Sequence, residues 1–245
     1  MSSDFAGFSP AALTFFRQLA RNNDRDWFNA RKPIFEREIR APMLELVSAV
    51  NARLRAVAPD YASDDPTRAI YRIYRDTRFS KDKTPYKTHI AANFPHRRLT
   101  RHAAGGFYFQ VSHEGVGVAG GVYMPGPDEL SAIRRHMSEN WPRLERLLAD
   151  RALRRLAGAL RGDSLKRSPR GFDPAHPAAS LLRMKNWYFW VELPPRSASS
   201  RHLVGDLLRR MQAMRPVIDF INEPLLAALA RDDESARPRR PDPMW

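Results

Sequence analysis

The residue types best suited to chemistry are concentrated in one basic stretch, residues 72–88. It holds six basic and two acidic residues, a local charge of 6 − 2 = +4, and three of the six lysines of a chain that otherwise uses arginine. Guanidinium groups, ammonium groups and nearby hydroxyls together bind phosphate, sulfate or carboxylate. The candidate ligand-binding residues of this stretch are Arg72, Arg75, Arg78, Ser80, Lys81 and Lys87.

Two residues of the same stretch are candidate catalytic groups, Asp76 and Lys83. Asp76 is expected to orient an arginine or to act as an acid–base group. Asp76 and Asp82, with Lys83 or Lys87, form a thin version of a metal-nuclease pattern, which places clustered carboxylates beside a lysine. No metal site is predicted, because the seven histidines include no His-x-x-x-His pair and the chain has no cysteine.

A second basic segment, residues 165–172, contributes Lys166 and Arg170, with Pro169 and Gly171 marking a loop. Lys185 follows at the start of an aromatic stretch. If these residues meet the first stretch in space, they complete a basic pocket with aromatic edges. The sequence therefore predicts a site for a phosphorylated or otherwise anionic ligand.

Two other interpretations remain open. The first is a nucleic-acid-binding protein or nuclease-like enzyme, whose basic surface follows phosphates while Tyr86, Tyr108 or Trp187 stacks on bases. The second is a structural network of ordinary ion pairs in a solvated loop, which needs no ligand. The salt dependence of binding separates the ligand types, because a polyanion releases many counterions and a compact anion few.

Composition limits the remaining functions. The net charge of 41 − 27 = +14 favours polyanions, but 35 of the 41 basic residues are arginine, an excess that often reflects a GC-rich genome rather than a function. No phosphate-binding loop, Gly-x-Ser-x-Gly nucleophile turn, signal peptide or membrane-spanning apolar run is present. We expect a cytoplasmic protein without a membrane partner. The sequence identifies no cofactor, and no obligate protein partner is evident.

Hydrophobic periodicity predicts one α+β domain over residues 1–230, a mainly antiparallel sheet with helices at both ends. The predicted strands cover 69–75, 89–94, 106–112, 116–123 and 187–193. The strand at 187–193 is apolar on both faces, which indicates an interior position. Residues 231–245 are charged and rich in proline, and we expect a disordered tail there.

Four parts of the chain resemble the bacterial and fungal family known as domain of unknown function 2461. They are Phe15-Phe16 with Leu19, Asn22-Asn23 and Trp27-Phe28; the whole of residues 72–88; Gly120-Gly121 with Tyr123 and Pro125; and Leu165-Lys166-Arg167 with Pro169-Arg170-Gly171-Phe172. The resemblance extends over nearly all of residues 5–229. It implies a single conserved domain and assigns no activity.

Overall fold

A computed structural model describes residues 5–100 and 103–235 of the chain. The helices are α1 (Pro10–Arg21), α2 (Arg25–Phe35), α3 (Ala41–Val57), α4 (Pro127–Glu139), α5 (Trp141–Leu148), α6 (Arg151–Ala157), α7 (Ala179–Leu182) and α8 (Leu203–Ser235). A π-helical turn, Glu36–Arg40, joins α2 to α3. None of these helices is both long enough and apolar enough to cross a bilayer.

Four strands form a single antiparallel sheet in the order β1-β2-β3-β4. They are β1 (His89–Pro95), β2 (Gly106–Ser112), β3 (Val116–Val122) and β4 (Trp187–Leu193). The predicted α+β class is confirmed, and these strands agree closely with four of the five predicted ranges.

The fifth predicted strand, 69–75, is wrong. Residues Pro66–Ala69 form a 3-10 turn, and only one isolated bridge, Ile70 to Ala92, touches β1. Beyond Ile73 the chain leaves the sheet and pairs instead with residues 85–87. Arg72, Tyr74 and Asp76 therefore do not share the face of a sheet strand.

The predicted interior position of residues 187–193 is also wrong, because β4 is an edge of the sheet. Its edge is partly covered by Arg161, which exchanges two backbone hydrogen bonds with Tyr188, of 2.8 and 2.9 Å. Both faces of β4 are apolar for different reasons. One face packs in the core, and the other lines a pocket described below.

Helix α8 covers one face of the sheet and organises the core. The buried side chains Phe107, Phe109 and Val118 belong to that face. Met214 and Ile218 of α8 lie so close to Gly120 that a Cβ there would stand 2.7 Å from Ile218 Cδ1. Helices α3, α4, α5 and α6 contact α8 in turn, so the helices gather on this side.

Helix α8 runs to Ser235 and so enters the segment 231–245 for which the sequence predicts disorder. The remainder of that segment, 236–245, lies outside the described residues.

Candidate functional site on the open face of the sheet

The sheet face opposite α8, here called the open face, forms a trough. Its floor is β3, which presents Ala119 and Gly121 to the trough, while the Trp190 ring covers Gly117 on the same side. In the strand register Ala119 lies between Tyr108 of β2 and Trp190 of β4. Because side chains alternate along strands, the large rings rise on both sides of a floor without bulk.

A cavity of about 540 Å³ occupies this trough. The ring centres of Tyr71 and Tyr108 are 6.2 Å apart and those of Tyr108 and Trp190 are 6.3 Å apart. Together the three form a row of rings across the sheet, here called the ring row. The cavity is further lined by Asn93, Ala104, Gly106, Ala119, Gly120, Gly121, Tyr123, Met124, Arg161 and Tyr188. Such a cleft, lined by aromatic and small apolar residues with a few polar groups, is typical of small-molecule sites.

The polar groups of the pocket are few. The Tyr108 hydroxyl donates to Gln110 Oε1 at 2.8 Å, and burial raises the pKa of Tyr108, so this hydroxyl stays protonated. Arg161 brings the pocket a positive charge from the β4 edge. Within the described part of the chain its guanidinium makes no hydrogen bond or ion pair. It is therefore available to an anionic ligand.

The basic stretch folds into its own hairpin, residues 73–87, here called the basic hairpin. The Arg75 N–H donates to Pro85 O at 2.9 Å, and the Lys87 N–H donates to Ile73 O at 2.8 Å. Asn23 fixes the base of this hairpin from the α1–α2 loop: its amide donates to Tyr86 O at 2.9 Å and accepts from Tyr86 N at 3.0 Å. The Phe28 ring stacks on Tyr86 with centres 4.1 Å apart.

The acidic residues of the hairpin are already paired. Arg75 donates to Asp82 at 2.5 Å, and Arg78 holds both Asp76 oxygens at 3.0 and 2.8 Å. The Arg78 hydrogen bonds lower the pKa of Asp76 to about 2, and bonds from Thr84 and Arg75 lower the pKa of Asp82 equally. Asp76 is therefore paired with Arg78, and its role of orienting an arginine for a ligand stays a prediction. As an acid–base group it stays a prediction.

The predicted lysines of the hairpin have two environments. Lys83 Nζ donates to Thr77 O at 2.9 Å, and Lys87 Nζ donates to Arg72 O at 3.2 Å. Lys81 and Lys83 are exposed, whereas Lys87 is half-buried. Burial, with the charge of Arg72, lowers the pKa of Lys87. The catalytic role of Lys83 and the ligand role of Ser80 are not tested by these contacts and stay predictions.

Lys166 and Lys185 lie near the opposite edge of the sheet, and Arg170 follows four residues after Lys166 in the same loop segment. The Leu165 N–H donates to Arg183 O at 2.8 Å and the Lys185 N–H to Asp163 O at 2.7 Å, which places this group beside the start of β4. The hairpin leaves the sheet at β1, three strand spacings or roughly 14 Å away. The two basic groups flank the open face, and their convergence on one ligand stays a prediction.

Arg72 lines a second cavity of about 590 Å³, between the helices α2 and α3 and the segment before the hairpin. Lys32 and Arg40 add positive charge there, and Glu36 pairs with Arg40 at 3.0 Å. Tyr71 lines both cavities. Tyr71 therefore connects the ring row to the basic residues of the second cavity.

Of the three residues expected to stack on bases, Tyr108 alone lies on the open face. Trp187 is wholly buried beneath α8, with its indole N–H bonded to Leu181 O, and Tyr86 is buried at the base of the hairpin. The stacking roles of these two are wrong, because each points into the core. Sequence reasoning missed Tyr71, Trp190 and Arg161. The alternation of residues 187–193 was the signal for Trp190, since Trp187 and Trp190 must face opposite ways.

His89 provides a pH test of this face. Burial and the charge of Lys87 lower the pKa of His89 to about 4. An unfolded chain takes up that proton near pH 6.5, so acidification from pH 6.5 to 4 favours unfolding, by at most about 3 kcal/mol for this residue. We expect His89→Gln to lose less stability than the wild type between pH 7 and pH 4.5. Urea unfolding of both proteins at the two pH values measures this, and identical pH dependence would contradict it.

Within residues 5–100 and 103–235, no three histidine, aspartate or glutamate side chains are grouped so as to hold a metal ion.

No curated protein and no solved structure matches this chain. A family profile does, over residues 11–220, which include every predicted site residue. The match agrees with the resemblance carried by the basic stretch and the paired glycines of β3. The chain thus belongs to the family described as "Conserved hypothetical protein (DUF2461)".

Proposed function

We propose that the open face binds a small ligand that joins a planar ring to an anionic group such as a phosphate. The observation that carries this proposal is the ring row beside a floor of small residues, with Arg161 at its edge, whose guanidinium has no hydrogen-bond or ion-pair partner among the described residues. A planar ring can stack on the row of aromatic side chains, and an arginine fork matches the oxygens of a phosphate or carboxylate.

The electrostatic setting supports an anion. Residues 1–230 carry the whole +14 net charge, because the four arginines and four acidic residues of 231–245 cancel, and basic groups stand at both edges of the trough. Such a field concentrates anionic ligands and speeds their association. The cytoplasm is the proposed location, since a chain without cysteine suits a reducing compartment.

The test is calorimetric titration of the full chain with nucleoside monophosphates, with inorganic phosphate and the uncharged nucleosides for comparison. We expect the nucleotide to bind more tightly than either part alone. Ala119→Leu fills the floor between Tyr108 and Trp190 and should weaken binding about tenfold or more. Arg161→Gln should weaken it by about 10- to 150-fold, because it removes a charge-assisted hydrogen bond.

Arg155→Gln is the matched control for the arginine, since Arg155 is exposed on α6 away from the trough. It should bind as the wild type does. Binding that survives both Ala119→Leu and Arg161→Gln would place the ligand elsewhere and defeat the proposal. So would the absence of binding by any ring-containing anion.

A further inference from the structure

The tip of the basic hairpin exposes a large aromatic side chain. Phe79 is 95% exposed, more than any other large hydrophobic residue in the described chain. The Arg78 guanidinium lies 5.7 Å from its ring centre, and Lys81 and Lys83 are exposed beside it. Exposure of a whole phenylalanine ring costs solvation free energy, so a partner that covers it gains that free energy.

The hairpin holds this tip in a fixed shape before any partner arrives. Asn23 and Phe28 anchor its base at Tyr86. Toward the tip, Thr84 donates both its N–H and its hydroxyl to Asp82, at 2.9 and 2.8 Å, and Arg75 binds the same carboxylate. A loop ordered in advance loses less conformational entropy when it binds.

The net positive charge of the hairpin favours an anionic partner. Both acidic residues, Asp76 and Asp82, are neutralised by one arginine each. The cations beyond those two pairs are Lys81, Lys83 and Lys87 of the hairpin and Arg72, which directly precedes it. They extend from the tip back toward the sheet.

The hairpin is continuous with the open face. Lys87 Nζ lies 5.1 Å from the ring centre of Tyr71, and Tyr71 is the first ring of the ring row. One path therefore runs from the pocket across Tyr71 and along the cations to Phe79. Aromatic rings at both ends of a row of cations suit a chain of bases joined by phosphates.

We propose that the basic hairpin and the open face together bind single-stranded nucleic acid, with bases on the ring row and on Phe79 and phosphates on the hairpin cations. The pocket end of this path rests on the proposed function. A duplex does not offer free base faces, so the strand is unpaired. An anionic membrane is the other large polyanion, but a flat surface cannot enter the trough, and one apolar tip residue gives only weak insertion.

The experiment measures fluorescence anisotropy of labelled poly-dT and poly-U oligonucleotides, from about 2 to about 16 nucleotides long, with the full chain. Calorimetry with the mononucleotide runs alongside. We expect affinity to rise with length and to fall with salt at about −0.7 per phosphate bound. Phe79→Ala should weaken the long oligonucleotides by roughly 5- to 150-fold. It should leave mononucleotide binding unchanged.

The variant Lys81→Ala with Lys83→Ala should reduce the salt slope by about 1.4. The double variant Arg151→Ala with Arg155→Ala removes two exposed cations from α6 and is the matched control. It should keep the length dependence of the wild type. Circular dichroism melts of each variant verify that the fold is retained.

The outcomes separate this inference from the proposed function. Mononucleotide binding without any gain from length overturns the inference and leaves the proposed function standing. A gain from length that survives Phe79→Ala and the lysine variant also overturns it. Binding to phosphatidylserine vesicles that depends on Phe79, with no oligonucleotide binding, assigns the hairpin to a membrane instead and overturns it. Hairpin-dependent oligonucleotide binding without mononucleotide binding supports the hairpin's role and overturns the proposed function.

Discussion

Replacing Gly121 with alanine is expected to lower the free energy of unfolding by about 3 kcal/mol or more. Gly121 has φ +142°, a backbone conformation that residues with a side chain rarely adopt. A Cβ there would stand 2.1 Å from Trp187 O and 2.6 Å from Tyr188 Cα. Those neighbours are backbone atoms of β4, so the strand itself must move. Because Gly121 also lines the open-face pocket, Gly121→Ala should lose ligand binding together with stability.

Gly158→Ala is the control for this substitution. Gly158 also has a positive φ, +74°, but no atom lies within 4 Å of the position that a Cβ would take there. Gly158→Ala should therefore lose only the free energy of glycine's preference for its backbone conformation, φ 74° and ψ −144°, about 1–3 kcal/mol. Urea unfolding measures both variants. Equal losses in the two would show that the close approach of β3 and β4 is not what requires glycine at position 121.

Asn222→Ala is expected to cost about 3 kcal/mol or more, because one wholly buried amide satisfies three polar groups. Asn222 accepts from Gly105 N at 2.8 Å and donates to Gly105 O at 3.0 Å and to the Tyr61 hydroxyl at 3.2 Å. Burial, together with the hydrogen bond to Asp219, raises the pKa of Tyr61, so the hydroxyl remains a donor. Without the amide, both Gly105 groups lose their partner inside the core.

Asn22→Ala is the matched substitution at the surface. Its amide also bonds backbone, donating to Gln18 O at 2.9 Å, but in an exposed place where water can replace it. We expect a change within about 0.5 kcal/mol there. Chemical denaturation of both variants compares them. A loss below about 1 kcal/mol for Asn222→Ala would mean that water enters and satisfies the Gly105 backbone.

The sequence predicts most of the fold because its local signals agree with its packing. Ser9 before Pro10 and Asp24 before α2 cap their helices as such residues should. The period-two alternation of Phe107, Phe109 and Val111 places those side chains in the core. The error at 69–75 has a non-local cause: Asn23 bonds the backbone of Tyr86 and so holds the hairpin away from β1.

The candidate site is harder to predict because it depends on strand order. The clustered basic residues predicted a site within 72–88. The cavity is instead formed by Tyr71, just before that stretch, and by Arg161 and Trp190, far along the chain. Only the pairing of β3 with both β2 and β4 reveals that Ala119 separates two rings. The edge strand β4 is as apolar as the interior strands, so its own sequence does not indicate that it lies at an edge of the sheet.

The central claim, that the open face is a binding surface, is tested most directly by the indole N–H signals of the tryptophans in a ¹H–¹⁵N spectrum. Trp190 donates its indole N–H to Glu192 on the open face, at 3.1 Å, whereas Trp187 donates to Leu181 O inside the core, at 2.9 Å. Trp190→Phe assigns the signal. Titration with a nucleoside monophosphate should shift the Trp190 signal to saturation and leave that of Trp187 in place. A Trp190 signal that stays unmoved while ligand binds elsewhere, or while no ring-containing anion binds at all, would contradict the account.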